Sequence, residues 1–293
     1  MRATNILIGA LVAGSTLTAC HHDSTSPLAT AVALGYTFTP DAGVRVASGT
    51  QAAPLVVNGT VLLYLTTGNA PNSVLRSTDG LNFSPVAASY PAGSSYSLVP
   101  VATGGYRMYF FNTTTGVLGS ATSADGLNWT VEPGTRLSLP PNATPKAVAV
   151  PDSGYRVYYT TSGIPSIASS FSADGLNFYP EVGSRISPTS TSFWTAPCGV
   201  DLGANGWILA MSEFTAGVSA PSTIWLAASS DTSGGVWNTD TKAIISDSTH
   251  SVGDPALVPA GSAYRIYYTS TPGPVFGVTA PQQGQILSGL ISK

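Results

Sequence analysis

One heptapeptide constrains this chain more than any other feature. Ser77-Thr78-Asp79-Gly80-Leu81-Asn82-Phe83 returns 46 residues later as Ser123-Ala124-Asp125-Gly126-Leu127-Asn128-Trp129, and 49 residues after that as Ser172-Ala173-Asp174-Gly175-Leu176-Asn177-Phe178. A degenerate copy, Ser230-Asp231-Thr232-Ser233-Gly234-Gly235-Val236-Trp237, follows. Self-similarity at a period of roughly 20–50 residues is the signature of propellers and solenoids, in which each module buries its apolar face only against a neighbour. The recurring Asp-Gly reads as a structural turn: the Asp carboxylate accepts nearby backbone N–H groups, the Gly supplies positive φ, and the aromatic packs between sheets.

The segments around these turns fix the type of module. Gly105-Tyr106-Arg107-Met108-Tyr109-Phe110, Gly154-Tyr155-Arg156-Val157-Tyr158-Tyr159 and Ala263-Tyr264-Arg265-Ile266-Tyr267-Tyr268 are aromatic and β-branched strands, with weaker copies at Thr60–Tyr64 and Trp207–Met211. Another short apolar run precedes each. Five such strands, each inside a four-stranded meander ending after the hairpin, predict an all-β, five-bladed β-propeller. The Arg residues alternate with Tyr and suit stacking and inter-blade pairing.

The termini then supply closure. An aromatic is followed seven residues later by Arg at Trp129/Arg136 and Phe178/Arg185, and Phe38/Arg45 repeats the spacing. Residues 34–47 therefore read as the outermost strand of a blade whose other three strands lie at the carboxyl end, so the N-terminal strand completes the last blade. Such closure removes exposed sheet edges.

Composition narrows the function. Only 9% of the 293 residues are charged, with formal net charge −3, against roughly 25% in an average domain; no basic field exists to hold nucleic acid. Arg2, the apolar run Ile6–Ala13 and the small residues before Cys20 read as a signal peptide, and Leu17-Thr18-Ala19-Cys20 resembles the lipobox of bacterial lipoproteins. Residues 1–19 are then the lipoprotein signal peptide, Cys20 the lipidation site, 20–32 a tether and 33–293 the propeller. The expectation is a bacterial cell-envelope protein, facing periplasm or exterior, with the acyl chains as its only membrane contact. Cys198 has no expected disulfide partner and reads as a small buried apolar residue.

The Ser-x-Asp-Gly-x-Asn-aromatic hairpins, the Gly253-Asp254-Pro255-Ala256-Leu257-Val258 segment and the Tyr-Arg-x-Tyr-Tyr strands resemble the five-bladed arabinanase and β-fructosidase superfamily of glycoside hydrolases (family 43/32-like). The hairpin also resembles the sialidase Asp-box, but that pattern carries an extra residue between Asp and Gly and belongs to six-bladed proteins. The first resemblance implies an axial pocket for an oligo- or polysaccharide, built by the openings of the innermost strands, near Ala53, Tyr96, Pro145-Lys146, Ala196 and Asp254, and by the loops joining second to third strands. It also implies acidic residues from several blades, and only one of these openings is acidic. Asp254 and Glu213 are the one pair suited to the two-carboxylate chemistry of glycosidases, while Tyr96, Lys146, Phe193, Trp194 and His250 are candidates for contacting sugar. With the lipobox, the resemblance thus implies a lipid-anchored propeller acting on carbohydrate at its axial pocket, a diverged glycoside hydrolase-like protein; the alternative is a non-catalytic glycan-binding or scaffold propeller. No metal ligand spacing and no nucleotide fingerprint appears, so no cofactor is expected.

Overall fold

In the computed structural model, the described residues are 31–66, 72–141, 143–162, 166–187, 192–202, 205–215, 220–230, 236–273 and 284–293. They form five antiparallel sheets arranged as a five-bladed propeller. The first strand, β1 (Thr37–Pro40), belongs to the last blade. Blade I contains β2 (Thr50–Val57), β3 (Thr60–Thr66), β4 (Ser73–Ser77) and β5 (Ser84–Val86). Blade II contains β6 (Ser94–Pro100), β7 (Tyr106–Asn112) and β8 (Val117–Ser123), with β9 (Thr130–Val131) and β10 (Leu137–Ser138) both pairing to β8. Blade III contains β11 (Lys146–Val150), β12 (Gly154–Thr160), β13 (Ile167–Ser172) and β14 (Tyr179–Pro180). Blade IV contains β15 (Ser192–Asp201), β16 (Trp207–Thr215), β17 (Thr223–Ser229) and β18 (Asn238–Thr239). Blade V joins β19 (His250–Ala260), β20 (Ala263–Pro272) and β21 (Gln285–Ser292) to β1, giving the order β1-β21-β20-β19.

The expected closure is therefore present. Thr37 through Pro40 pair antiparallel with Ser292 through Gly289. Asp41, just past β1, accepts from Arg265 Nη1 at 2.7 Å and from Ser288 Oγ at 2.6 Å, tying the two ends of the chain by a second, charged contact. Further along, Arg45 N donates to Ile286 O at 2.8 Å.

The heptapeptides behave as hydrogen-bonded turns. In each of the three full copies the Asp Oδ1 accepts the backbone N–H groups two and three residues on, and Oδ2 accepts the Asn side-chain amide: for Asp125 these are Leu127 N, Asn128 N and Asn128 Nδ2, all at 2.8 Å. Hydrogen bonds to the ionised form hold the carboxyls of Asp79, Asp125 and Asp174 well below the ordinary carboxylate range.

What each turn does is latch its blade to the preceding one. Tyr109 Oη of blade II donates to Gly175 O of the blade III turn at 2.9 Å, Tyr267 Oη of blade V to Gly80 O of the blade I turn at 2.9 Å, and Tyr64 Oη of blade I to Gly126 O of blade II. The turn's aromatic packs edge-on against the same tyrosine: Phe178 on Tyr109 at 5.7 Å, Phe83 on Tyr267 at 5.8 Å and Trp129 on Tyr64 at 6.3 Å. The degenerate fourth turn keeps this contact, Trp237 on Tyr158 at 5.8 Å. Gly175 has φ +74°, and a Cβ there would lie 2.7 Å from Tyr109 Oη, so both backbone conformation and space demand glycine. The Arg residues add charge-assisted bonds: Arg107 Nε to Glu132 at 2.9 Å, with Nη1 reaching Asp174 O of the next blade at 2.9 Å, and Arg156 Nε to Glu181 at 2.8 Å.

The closed ring makes the amino-terminal strand indispensable. Ala31 and Val32 bridge to Thr239 of blade IV, Val32 N donating to Thr239 O at 2.9 Å. Deleting residues 1–30 should leave the thermal transition unchanged, whereas deleting residues 1–47, which also removes β1, Asp41 and Arg45, should abolish cooperative melting in a calorimetric scan. The turn carboxyls have folded-state pKa values below those of the unfolded chain, so their contribution is full above the ordinary carboxylate range and is lost as pH falls through it. Urea midpoints measured between pH 7 and pH 3 should fall in wild type and fall less in an Asp125→Asn, Asp174→Asn variant.

Candidate functional site

The strand next to the axis starts with a distortion in four of the five blades. The register of β2 with β3 slips between Thr50 and Ala53, of β6 with β7 between Ser94 and Ser97, of β15 with β16 between Thr195 and Cys198, and of β19 with β20 between Gly253 and Ala256. Each slip contains a non-glycine residue in the left-handed region: Gln51 (φ 49°), Ser95 (φ 49°), Ala196 (φ 48°) and Asp254 (φ 49°). Left-handed backbone is uncommon outside glycine, and clustering it at one end of a channel marks a place where geometry overrides local preference. Beyond each slip, Ala53, Ser97, Cys198 and Ala256 sit opposite Tyr64, Tyr109, Ala210 and Tyr267; in blade III Lys146 sits opposite Tyr158. The residues equivalent to Asp254 are thus Gln51, Ser95, Thr144 and Ala196. The first three openings expected from the sequence, at Ala53, Tyr96 and Pro145-Lys146, lie one or two residues too late; in blades I and II a β-bulge adds a residue that leaves no trace in the hydrophobic pattern.

These openings are stitched together across the blades. Ser95 N donates to Gln51 Oε1 at 3.3 Å, Ala196 N to Thr144 Oγ1 at 2.8 Å, and Asp254 N to Ser212 Oγ at 2.9 Å. Thr269 Oγ1 accepts from Gln51 N at 3.2 Å and donates to Asp254 Oδ2 at 3.3 Å, bridging blades V and I. Asp254 is desolvated, which pushes its carboxyl up, while Lys146 and the Thr269 hydroxyl pull it back in part. Lys146 is the complement: burial pushes its ammonium down, and Asp254 offsets part of that.

The remaining candidates fall in different places. Glu213 is buried and accepts hydroxyls of Ser192 at 2.6 Å, Thr223 at 2.9 Å and Thr215 at 3.3 Å. On β16 Ser212 turns toward blade V and Asp254, so the alternation of a strand sends Glu213 to the blade III face, where it sits opposite Trp194. The sheet of blade IV therefore separates Glu213 from Asp254. Trp194 is 4% exposed, stacks edge-on with Trp225 at 5.7 Å and belongs to the core between blades III and IV. The ring of Tyr96 is fully buried between blades I and II, its Oη donating to Pro91 O and accepting from Asn72; its carbonyl, not its ring, meets the axis, through Lys146 Nζ at 3.0 Å. Phe193 is half-buried opposite Phe214. His250 lies at the start of β19, its Nδ1 beside Thr249 Oγ1 at 2.8 Å and Asp247 Oδ2 at 3.4 Å. Asp254 and Lys146 are thus the two candidates brought together. Gln51, Ser95, Thr144 and Thr269 join them at the axis, and none stands out in the sequence; neutral, common residue types carry no signal until the register is known. Cys20 and parts of the long loops after β16 and β20 lie outside the described residues. Among the described residues no group of three or more His, Cys, Asp or Glu is placed to hold a metal ion.

Solved glycoside hydrolases share this fold. BT0996, solved in a complex with RGII, superposes with TM-score 0.68 at 10% identity over 88% of this protein and 92% of that one. A thermostable family-43 glycoside hydrolase gives TM-score 0.64 at 14% identity over 90% and 92%. The α-L-arabinofuranosidase of Podospora anserina, in complex with cellotriose, gives 0.64 at 13% over 91% and 98%. No protein-family model matches the sequence, and no curated protein matches it.

Because burial disfavours the charged forms of both Asp254 and Lys146, each costs folding stability at neutral pH. Asp254→Asn should raise the melting temperature at pH 7. For a carboxyl with a raised folded-state pKa, the destabilisation sets in as pH rises through the carboxylate range, so the gain of the variant over wild type should shrink as pH falls through that range in the same scan.

Proposed function

We propose that the protein is a carbohydrate-binding propeller that holds an oligo- or polysaccharide at its axial opening without hydrolysing it. One observation carries this reading: the five equivalent openings present Gln51, Ser95, Thr144, Ala196 and Asp254, a single carboxylate among neutral groups. Hydrolysis by the common two-carboxylate routes needs acids about 5–9.5 Å apart on either side of one glycosidic bond. Glu213 lies on the face of blade IV turned toward blade III, whereas Asp254 belongs to blade V on the other side of that sheet. Residues 67–71, 163–165, 188–191, 216–219 and 274–283, which fall outside the described residues, contain no Asp or Glu in their sequence. A polar axial ring with one acid is suited to accepting and donating hydrogen bonds with sugar hydroxyls. The fold shared with glycoside hydrolases supports carbohydrate as the ligand class; the scarcity of acids at the openings supports binding over turnover. A second reading, a hydrolase using Asp254 as general acid and Glu213 as its partner, is favoured by the raised carboxyl of Asp254.

Calorimetric titration with arabinan- and xylan-derived oligosaccharides should give saturable binding, weakened about tenfold, or ~1.4 kcal/mol, by Asp254→Asn. Incubation with the same panel should release no reducing sugar. Product formation that an Asp254→Asn, Glu213→Gln variant lacks would establish the hydrolase reading instead.

The amino-terminal reading adds a location. With residues 1–19 as signal peptide and Cys20 lipidated, the propeller would be tethered to the bacterial envelope through residues 20–32, where captured glycan stays near the cell. Expression with a tritiated fatty acid should label the wild-type protein, and Cys20→Ala should abolish the label and move the protein to the soluble fraction.

A further inference from the structure

The axis contains a second space, on the far side of the strand openings. A cavity of about 360 Å³ extends from Ser97, Lys146 and Cys198, just beyond the bulges, to Pro100, Asp201 and Pro259 at the opposite ends of the innermost strands. Its remaining wall is mostly Ala, Val, Leu, Gly and Pro. Lys146 stands at its inner end. That side chain is more than nine-tenths buried, and its Nζ donates to Tyr96 O at 3.0 Å. An ammonium has three N–H groups, and the other two find no protein partner among the described residues. Asp254 acts on it electrostatically without a direct ion pair, and the thiol of Cys198 beside it is pushed up by burial and so stays neutral. Asp201, at the mouth, is the other charged group that faces the space. A buried cation lacking a direct counter-ion is costly. At the inner end of an apolar cavity, that cost is relieved by an anion whose body is apolar.

We propose that this cavity binds a small apolar monocarboxylate, its carboxylate accepting the two spare N–H groups of Lys146 and its body lying against the aliphatic wall. A sugar fits poorly, because the wall offers its hydroxyls few partners; a free inorganic anion would leave the wall unfilled. The site lies on the other side of the bulges from the glycan opening, with Lys146 at the divide, and does not depend on that reading.

Benzoate is the probe. Titrated calorimetrically into the whole protein, it should bind saturably at millimolar concentration. Benzamide, the same shape without the charge, should bind at least tenfold more weakly. Lys146→Met should remove benzoate binding, and Asp201→Asn, by taking a like charge from the mouth, should tighten it. Occupancy should also slow methanethiosulfonate modification of Cys198, a readout accessible in wild type should Lys146→Met fail to fold. Equal affinity for benzoate and benzamide, undiminished binding by Lys146→Met, or no protection of Cys198 at saturating benzoate would each overturn the proposal.

Discussion

A ring of sheets stands or falls on how each blade grips the next, and here that grip is one repeated contact: a tyrosine hydroxyl on the second strand of one blade bonded to the glycine carbonyl of the turn in its neighbour, with the turn's aromatic laid edge-on against the same ring. The contact joins a hydrogen bond to an aromatic pair, each individually worth about 1 kcal/mol, and it recurs around the circumference. Blade IV is the exception on its side: Ala210 occupies the tyrosine position, and Phe38, from the closing strand, packs into the cluster it shares with Ile208 and Ile266. The seam between blades IV and V therefore uses a filled apolar joint, where the I–II, II–III and V–I seams use a tyrosine latch and the III–IV seam keeps the aromatic pair of Tyr158 and Trp237.

This division explains which parts of the molecule can be read from residues alone. The latch needs Asp, Gly, Asn, an aromatic and a tyrosine at fixed spacing, so its chemistry is written into the chain, and the number of blades, the closing strand and the structural role of the turn aspartates are all legible from it. The axis is different. In four blades its geometry comes from a backbone bulge that any side chain can occupy, so Gln51 and Ser95, like Thr144 at the equivalent place in blade III, leave no mark in the sequence, and the hydrophobic pattern points past them to Ala53, Tyr96 and Pro145. Asp254 is legible because it is acidic and precedes a proline. Glu213 is legible as an acid, but the face to which it points follows from strand alternation relative to Ser212, which only the register supplies.

The axis thus contains two chemically distinct halves in one channel. On one side of the bulges lie hydroxyl, amide and carboxyl groups bonded from blade to blade; on the other lies an aliphatic cavity. Lys146 and Asp254 sit at the divide, each made costly by burial and each partly relieving the other. Neither can be changed without altering the electrostatics of both halves.

The left-handed residues at the channel rim have a broader implication. Their conformation is imposed by position in the ring, since glutamine, serine, alanine and aspartate all adopt it equally. A scaffold that sets backbone shape independently of side-chain identity can trade one functional group for another at its centre and keep its architecture intact. The near-acid-free rim of this protein is one outcome of that freedom, and the same five positions are where a different ligand preference could be installed with the least disturbance to the surrounding sheets.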